Sequence, residues 1–436
     1  MDPLRIGIAG LGTVGAGTVE VLQKHGALIA ARAGRAIEIT AISARSKTLD
    51  RGFSIDNFDW YDDPTLMAAA DNIDLVVELI GGSDGVAKAL VENALAAGKH
   101  VVTANKALIA HHGNELAALA EKNNAALYCE AAVAGGIPIL KSLREGMAAN
   151  AVTRVYGILN GTCNYILTEM RDTGRSFEDV LEEAQKLGFA EADPTFDVDG
   201  IDTAHKLAIL SALSFGTKVD FDGIHIEGIR AITSIDIEFA EELGYGIKLL
   251  GIASMNDGVV EQRVHPCMVP IDAPINHVEG SYNAVVADGD FVDTVFHEGR
   301  GAGGGPTASA VIADIIDIAR GARVPLFGVP VAQLADTATR DMSQHYGAYY
   351  VRFNVVDRIG VFADISRALA DHNVSMESVL QRSRDPDQIV PVVMTMHETD
   401  EGALRNTIEQ ITAMDAVVEP PVVIRIVLKR AICLFT

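Results

Sequence analysis

The chain has 436 residues, 49% hydrophobic and 22% charged, with 59 Asp and Glu against 35 Lys and Arg, a formal net charge of −24. This is globular composition, long enough for roughly two to four domains, and it excludes a disordered chain. So large an acidic excess excludes nucleic acid and an anionic membrane as main partners, while leaving room for a basic pocket that takes one phosphorylated cofactor.

Residues 5–9 form an apolar strand, followed by Gly10-Leu11-Gly12-Thr13-Val14-Gly15 and a helix over 14–25. A G-x-G-x-x-G between strand and helix lets a pyrophosphate reach bare backbone N–H groups that side chains would otherwise block. Gly10, Gly12, Thr13, Val14 and Gly15 are therefore the expected dinucleotide contacts. The second strand, 37–44, runs into Arg45-Ser46-Lys47. An NAD-selective site places Asp or Glu there for the ribose 2′-hydroxyl. The planar cation of Arg45 suits a 2′-phosphate instead, so NADP is expected, with NAD as the alternative. Strands at 74–80, 100–103 and 125–129 alternate with helical stretches, which predicts a parallel-sheet dinucleotide-binding domain over 1–135.

From Gly136 the pattern changes to longer helices, at 176–187 and 203–215, mixed with strands at 259–268 and 284–287. This predicts an α+β substrate and dimerisation domain over 136–325, whose amphipathic helix 307–320 is free to return to the first domain. Residues 326–348, with Pro330 and a polar run, read as a linker. Residues 349–428 then follow the order strand, helix, strand, strand, helix, strand, a ferredoxin-like unit. No reading accounts for the tail KRAICLFT.

Cys129, Cys163, Cys267 and Cys433 are scattered, which argues against disulfides or a cysteine metal site and for the cytoplasm. The N-terminus lacks the basic and apolar regions of a signal peptide, and no 18-residue apolar stretch is free of charge or a Gly/Pro break.

Thr103-Ala104-Asn105-Lys106, the run Asn160–Leu167, the acid-rich stretch from Glu191 through Asp193, Pro194, Asp197, Asp199, Gly200 and Asp202 to Lys206, and Gly299–Thr307 together resemble homoserine dehydrogenase. The resemblance is to the long form with a C-terminal ACT domain, and it runs from about Arg5 to Arg425. With no kinase region before the first strand, the chain looks monofunctional. The resemblance implies NAD(P)-dependent interconversion of L-homoserine and L-aspartate 4-semialdehyde on the way to threonine, methionine and isoleucine. It implies Lys206 and Lys106 as catalytic residues, Glu191 and Asp202 as holders of homoserine, and Thr103, Lys106, Gly188 and Gly303 as cofactor contacts. It further implies a monovalent cation, sodium, at Glu130, Val133, Gly135 and Ile137, and a homodimer or homotetramer. L-threonine is the implied effector, at the ACT turn Asp357-Arg358-Ile359-Gly360-Val361 with Asn373 nearby. A chain ending near Asp341 is then expected to keep activity and lose the threonine response.

The residues make chemical sense for this activity. Lys206 lies four positions after Asp202, so both project from one helix face, while His205 turns away. A desolvated lysine there suits acid–base work on a hydroxyl. Two other readings are another NADP-dependent semialdehyde oxidoreductase and an inactive amino-acid sensor. The latter has no need of Lys106 and Lys206.

Overall fold

The computed structural model describes residues 2–382 and 388–427; most of the turn at 384–388, residue 428 and the tail 429–436 lie outside the described residues. In the first unit, β1 (Leu4–Ala9), β2 (Ile37–Ser43), β3 (Asp59–Trp60), β4 (Leu75–Glu78), β5 (His100–Thr103) and β6 (Leu127–Tyr128) make one parallel sheet in the order β3-β2-β1-β4-β5-β6. Ile6, Ile8, Val76 and Val77 are all fully buried. Both faces of the sheet are covered, which is why its strands read as unbroken apolar runs. Helices α1 (Thr13–Ala33), α2 (Val86–Ala96) and α3 (Lys106–Lys122) are the crossovers. Strand order reverses between β1 and β4, so the carboxyl ends of β1, β4 and β5 open onto the crevice where such sheets bind ligands.

α1 runs on to Ala33 instead of stopping at His25, where it bends (φ −117°, ψ 18°). Gly26 disfavours a helix, but Ile29 and Ala33 are buried in the core shared with β1, and that burial wins.

The second unit contains the turn α4 (Ile139–Lys141), β7 (Val152–Ile158), α5 (Gly161–Thr173), α6 (Phe177–Lys186), α7 (Thr195–Val198) and α8 (Ile201–Phe215). It continues through β8 (His225–Ile226), α9 (Ser234–Glu242), β9 (Tyr245–Asn256), β10 (Val259–Pro270), β11 (Tyr282–Gly289) and β12 (Asp293–Arg300). Every residue of α8 from Asp202 to Leu213 is buried, so Asp202, His205 and Lys206 sit inside the molecule. The next helix, α10 (Gly304–Ala319), does return to the first unit: Val311, Ile312, Ile315 and Ile318 share one core with Ile6, Ile8 and Val19.

The third unit has β13 (Tyr346–Val356), α11 (Val361–Asp371), β14 (Met376–Leu380), β15 (Ile389–Asp400), α12 (Glu401–Thr412) and β16 (Val422–Ile426), with strand order β16-β13-β15-β14. That is the ferredoxin-like order. It is not a detached module: β16 pairs in parallel with β10, Cys267 opposite Arg425 and Met268 opposite Ile426, so the second and third units share one continuous sheet. The predicted linker is a packed strap. Leu326, Phe327, Leu334 and Met342 are buried in it, and Val260 and Arg340 bind it to β10 through N–H···O bonds of 3.0 Å to Ala338 and 2.7 Å from Arg340 to Val260. Among the described residues, no helix is long and apolar enough to cross a membrane.

Candidate active site

The three glycines of the first turn do different things. A Cβ on Gly10 (φ +100°) would lie 2.4 Å from the Leu79 carbonyl oxygen, and one on Gly15 would lie 2.0 Å from that of Gly10. The fold itself requires both. Around Gly12, nothing lies within 4 Å of that position. Gly12 is the N-cap of α1, and no side chain caps the helix there. Uncapped amides of Thr13 and Val14 with an open approach fit a pyrophosphate.

The second glycine cluster arrives at the same place. A Cβ on Gly304 would lie 3.1 Å from the Thr13 carbonyl oxygen, and one on Gly17 would lie 2.8 Å from that of Gly304. Gly303 (φ +119°) is the N-cap of α10, again without a side-chain cap. Two helix N-termini therefore meet where Gly304 packs on Thr13 and Gly17. Arg45 stands exposed just past β2. Arg51 donates to the carbonyls of Leu11 at 3.1 Å, Leu49 at 2.9 Å and Ser46 at 2.6 Å, tying the loop after β2 to the glycine turn.

At the ends of β4 and β5, the fully buried Glu78 accepts N–H bonds from Ile80 at 2.7 Å and Gly81 at 3.1 Å, and the Thr103 hydroxyl at 2.5 Å. The Thr103 hydroxyl oxygen accepts the Asn105 amide at 2.9 Å. Asn105 caps α3 by accepting the Leu108 amide at 3.1 Å. Lys106, the first residue of α3, leaves this braced corner toward α8.

There the two lysines meet on one carboxylate. Lys106 Nζ lies 2.6 Å from Asp202 Oδ1, and Lys206 Nζ lies 2.7 Å from Asp202 Oδ2. Lys206 also donates to the Leu159 carbonyl at 2.6 Å. Asn160, the N-cap of α5, donates to Asp202 Oδ2 and to Asp197 Oδ1, both at 2.8 Å. Burial alone would raise the Asp202 carboxyl, but the two ammonium groups hold it well below the usual carboxylate range. Burial pushes Lys206 below the ordinary lysine range against the pull of Asp202. Burial opposes the charge of Lys106 too, yet Asp202, Asp197 and Glu191 together carry it upward. One lysine leans toward the neutral amine while its neighbour stays cationic.

Family models match three stretches: Homoserine dehydrogenase, NAD binding domain, over 10–130; Homoserine dehydrogenase over 138–316; and ACT domain over 349–415. Homoserine dehydrogenase from Pseudomonas aeruginosa is 45% identical over 435 residues, covering 98% of this chain and 99% of the relative. That from Neisseria gonorrhoeae is 45% identical over 431 residues with the same coverage, 98% and 99%. The chain belongs to the homoserine dehydrogenase family. A crystal structure of a homoserine dehydrogenase from Thiobacillus denitrificans matches with a TM-score of 0.92 at 45% identity over 98% of both chains. A hyperthermophilic archaeal homoserine dehydrogenase in complex with NADPH matches 72% of this chain and 97% of its own, with a TM-score of 0.62 at 29% identity. The likeness extends over the full length rather than the glycine turn alone, which sets aside the two competing readings. This homoserine dehydrogenase is an oxidoreductase that interconverts L-homoserine and L-aspartate 4-semialdehyde with a nicotinamide cofactor, and its third unit is an ACT domain.

The other expected residues of the dehydrogenase fall in several places. Glu191 is exposed near Lys106, in the loop between α6 and α7. Gly188 (φ +77°) stands in the exposed turn after α6, and its amide bonds Gln185 and not the cofactor turn. Glu130 is buried and accepts the amides of Leu140 at 3.0 Å and Lys141 at 2.8 Å. Burial, then Asp314, pushes its carboxyl up to about 7. The 133–137 loop beside it holds Ala134 and Gly135 in the left-handed region, and a Cβ on Gly135 would lie 2.4 Å from the Gly301 carbonyl oxygen. Val133 and Ile137 flank that turn. His205 makes no hydrogen bond to the Asp202 cluster: its Nε2 lies 3.1 Å from His111 Nε2 and its ring stacks on Phe221 and on Phe196, the ring over which Lys106 also sits; burial, then His111, pushes it down to about 4. Cys129, Cys163 and Cys267 are free and buried, and Cys433 lies outside the described residues.

The sequence reading named no role for Glu78, Asn105, Asn160 or Arg51. Three of them carry a local signal: Asn105 and Asn160 each precede a helix, as an N-cap does, and Glu78 interrupts an apolar strand, where an acid needs a reason to be. Arg51 carries none.

Proposed function

We propose that Lys206 is the acid–base residue of this homoserine dehydrogenase, with Lys106, Asp202 and Glu191 arranging the substrate around it. What supports this most is Asp202, 2% exposed and held between both ammonium groups. Neutral Lys206 accepts the hydroxyl proton of homoserine at Nζ, and in reduction its ammonium returns that proton to the carbonyl oxygen. A bound nicotinamide supplies the hydride acceptor or donor. Lys106 stays charged and stabilises the negative charge that builds on the same oxygen. Glu191, exposed near Lys106, gives the α-ammonium a counter-charge. Consumption of NADPH with aspartate semialdehyde, compared with other semialdehydes, tests the substrate reading directly.

NADP is the proposed cofactor, read by Arg45. Arg45→Asp is expected to lower the ratio of kcat/KM for NADP over NAD by roughly 10- to 100-fold, the size of one lost charged hydrogen bond. An unchanged ratio would mean that Arg45 does not read the phosphate.

A sodium-sized cation is proposed beside Glu130, with the carbonyls of Val133, Gly135 and Ile137. One carboxylate and backbone oxygens are a hard donor set, and a cation there favours the ionised form of Glu130, which burial and Asp314 disfavour.

L-threonine is proposed as the ACT ligand, at the turn where Gly360 (φ +99°) leaves the backbone open and Ile359 is fully exposed. Threonine should inhibit the full chain through a coupling of about 1–3 kcal/mol, and Asp357→Ala should weaken inhibition without changing uninhibited kcat. If the full chain ignores threonine at fixed homoserine, the reading is lost. Ending the chain near Asp341 is not the clean comparison expected from sequence. It strips β10 of β16 and leaves the buried Asp236 and the half-buried Glu227 without Arg352 and Arg425. A homodimer or homotetramer is the proposed assembly. Because β10 already occupies the β16 edge, edge-to-edge ACT pairing is left to β14; light scattering measures the mass.

A further inference from the structure

Two ion-pair clamps join the ACT unit to the catalytic unit, the first fully buried and the second with a half-buried carboxylate. In one, Arg352 holds Asp236 of α9 at 2.7 and 3.1 Å, and the Tyr350 hydroxyl donates to the same carboxylate at 3.0 Å. In the other, Arg425 of β16 donates to both oxygens of Glu227 at 2.6 and 2.9 Å and to Glu401 at 3.0 Å. His225 Nε2 adds a contact of 2.7 Å to Glu227 Oε1.

What lies behind the clamps differs. α9 packs on β9 and α5, and its Ile237 and Glu241 line a small cavity together with Leu167, Thr168 and Arg171. Glu227 begins a segment pressed onto the turn that carries the site's carboxylates. A Cβ on Gly228 would lie 2.2 Å from the Val198 carbonyl oxygen and 2.5 Å from Asp199 Cα. The Ile229 amide donates to Val198 at 2.9 Å, and Arg230 pairs with Asp199. Gly200, the N-cap of α8, would place a Cβ 3.4 Å from the Glu227 carbonyl oxygen. Asp202 follows in the first turn of that helix.

We infer that Glu227, gripped by Arg425, is a positioning residue for the substrate pocket: it seats the 197–202 turn and thereby sets the stance of Asp202 between Lys106 and Lys206. The inference rests on the assignment of Asp202 to the substrate site. Backbone contacts this close leave no slack, so a shift of the 227–230 segment must be taken up by the turn above it. A two-pronged guanidinium–carboxylate pair fixes orientation as well as distance. The ACT unit therefore helps to shape the pocket with no effector bound.

The test uses the full chain. Glu227→Gln should raise KM for homoserine by about 3- to 30-fold, with a smaller change in kcat and none in KM for the nicotinamide cofactor. Arg425→Lys, which keeps the charge but loses the fork, should give a smaller rise in the same direction, and it serves if the glutamine variant does not fold. Arg352→Lys weakens the other clamp; it should lower the melting temperature comparably and leave KM for homoserine alone. Equal KM changes for the two clamps, or a silent Glu227→Gln, would overturn the link. Asp202→Asn separates the layers: no effect of that change on homoserine kinetics removes the site assignment, whereas a strong effect beside a silent Glu227 removes only the link.

Discussion

Lys206→Ala is expected to lower kcat in both directions by about 10²- to 10⁴-fold, the usual cost of losing a positioned acid–base group. NADPH binding should be nearly unchanged, because Nζ contacts Asp202 and the Leu159 carbonyl and not the glycine turn. The fold should survive. Asp202 keeps Lys106 at 2.6 Å as its counter-charge, and alanine is a favourable residue in the middle of α8. The pH profile gives a second reading. Burial lowers Lys206 from 10.5, so homoserine oxidation by the parent should rise with pH as the amine becomes neutral. The variant should lose that rise. Steady-state rates and a fluorescence titration of NADPH measure both effects, and retention of more than half the activity would sink the assignment.

Asp202→Asn attacks the same cluster from its centre. It leaves two neighbouring ammonium groups, one of them deeply buried, facing a neutral amide. Removing one partner of a buried pair typically costs about 3–5 kcal/mol. The enzyme should melt well below the parent at pH 7 and turn over slowly. The sign of the pH dependence follows from Lys206. Its folded pKa is already lowered from 10.5 and, without Asp202, falls further. Between that folded value and 10.5 the unfolded chain binds more protons, so the variant should regain stability relative to the parent as pH rises. For the same reason, any residual oxidation should reach its plateau at lower pH. Parent-like melting with an unshifted profile would show that Asp202 does not hold the two lysines.

What was legible in the sequence was local. The glycine turn sits between its strand and helix within the first 15 residues, and its meaning depends on backbone geometry that neighbouring residues dictate. Asp202 and Lys206 could be paired by spacing alone, since a helix brings i and i+4 to one face, and they do form an ion pair at 2.7 Å. The ferredoxin-like order of the third unit also followed from alternating periods of apolar residues.

The rest needed the tertiary structure. Nothing near Lys106 announces that it shares a carboxylate with Lys206, or that Glu78 and Asn105 brace the corner it leaves. The pattern of α10 announced an apolar face, and only packing decided that this face returns to β1 and brings Gly304 against Thr13 and Gly17. The pattern of β16 announced a strand, and only packing decided that its neighbour is β10, which turned a detached module into part of the catalytic sheet. The physical reason is common to all of these. Burial of apolar surface is non-directional, so periodicity reveals that a face is buried but not what buries it. Partners distant in the chain are chosen when strand ladders close and buried charges find their counter-charges, and both are properties of the assembled fold.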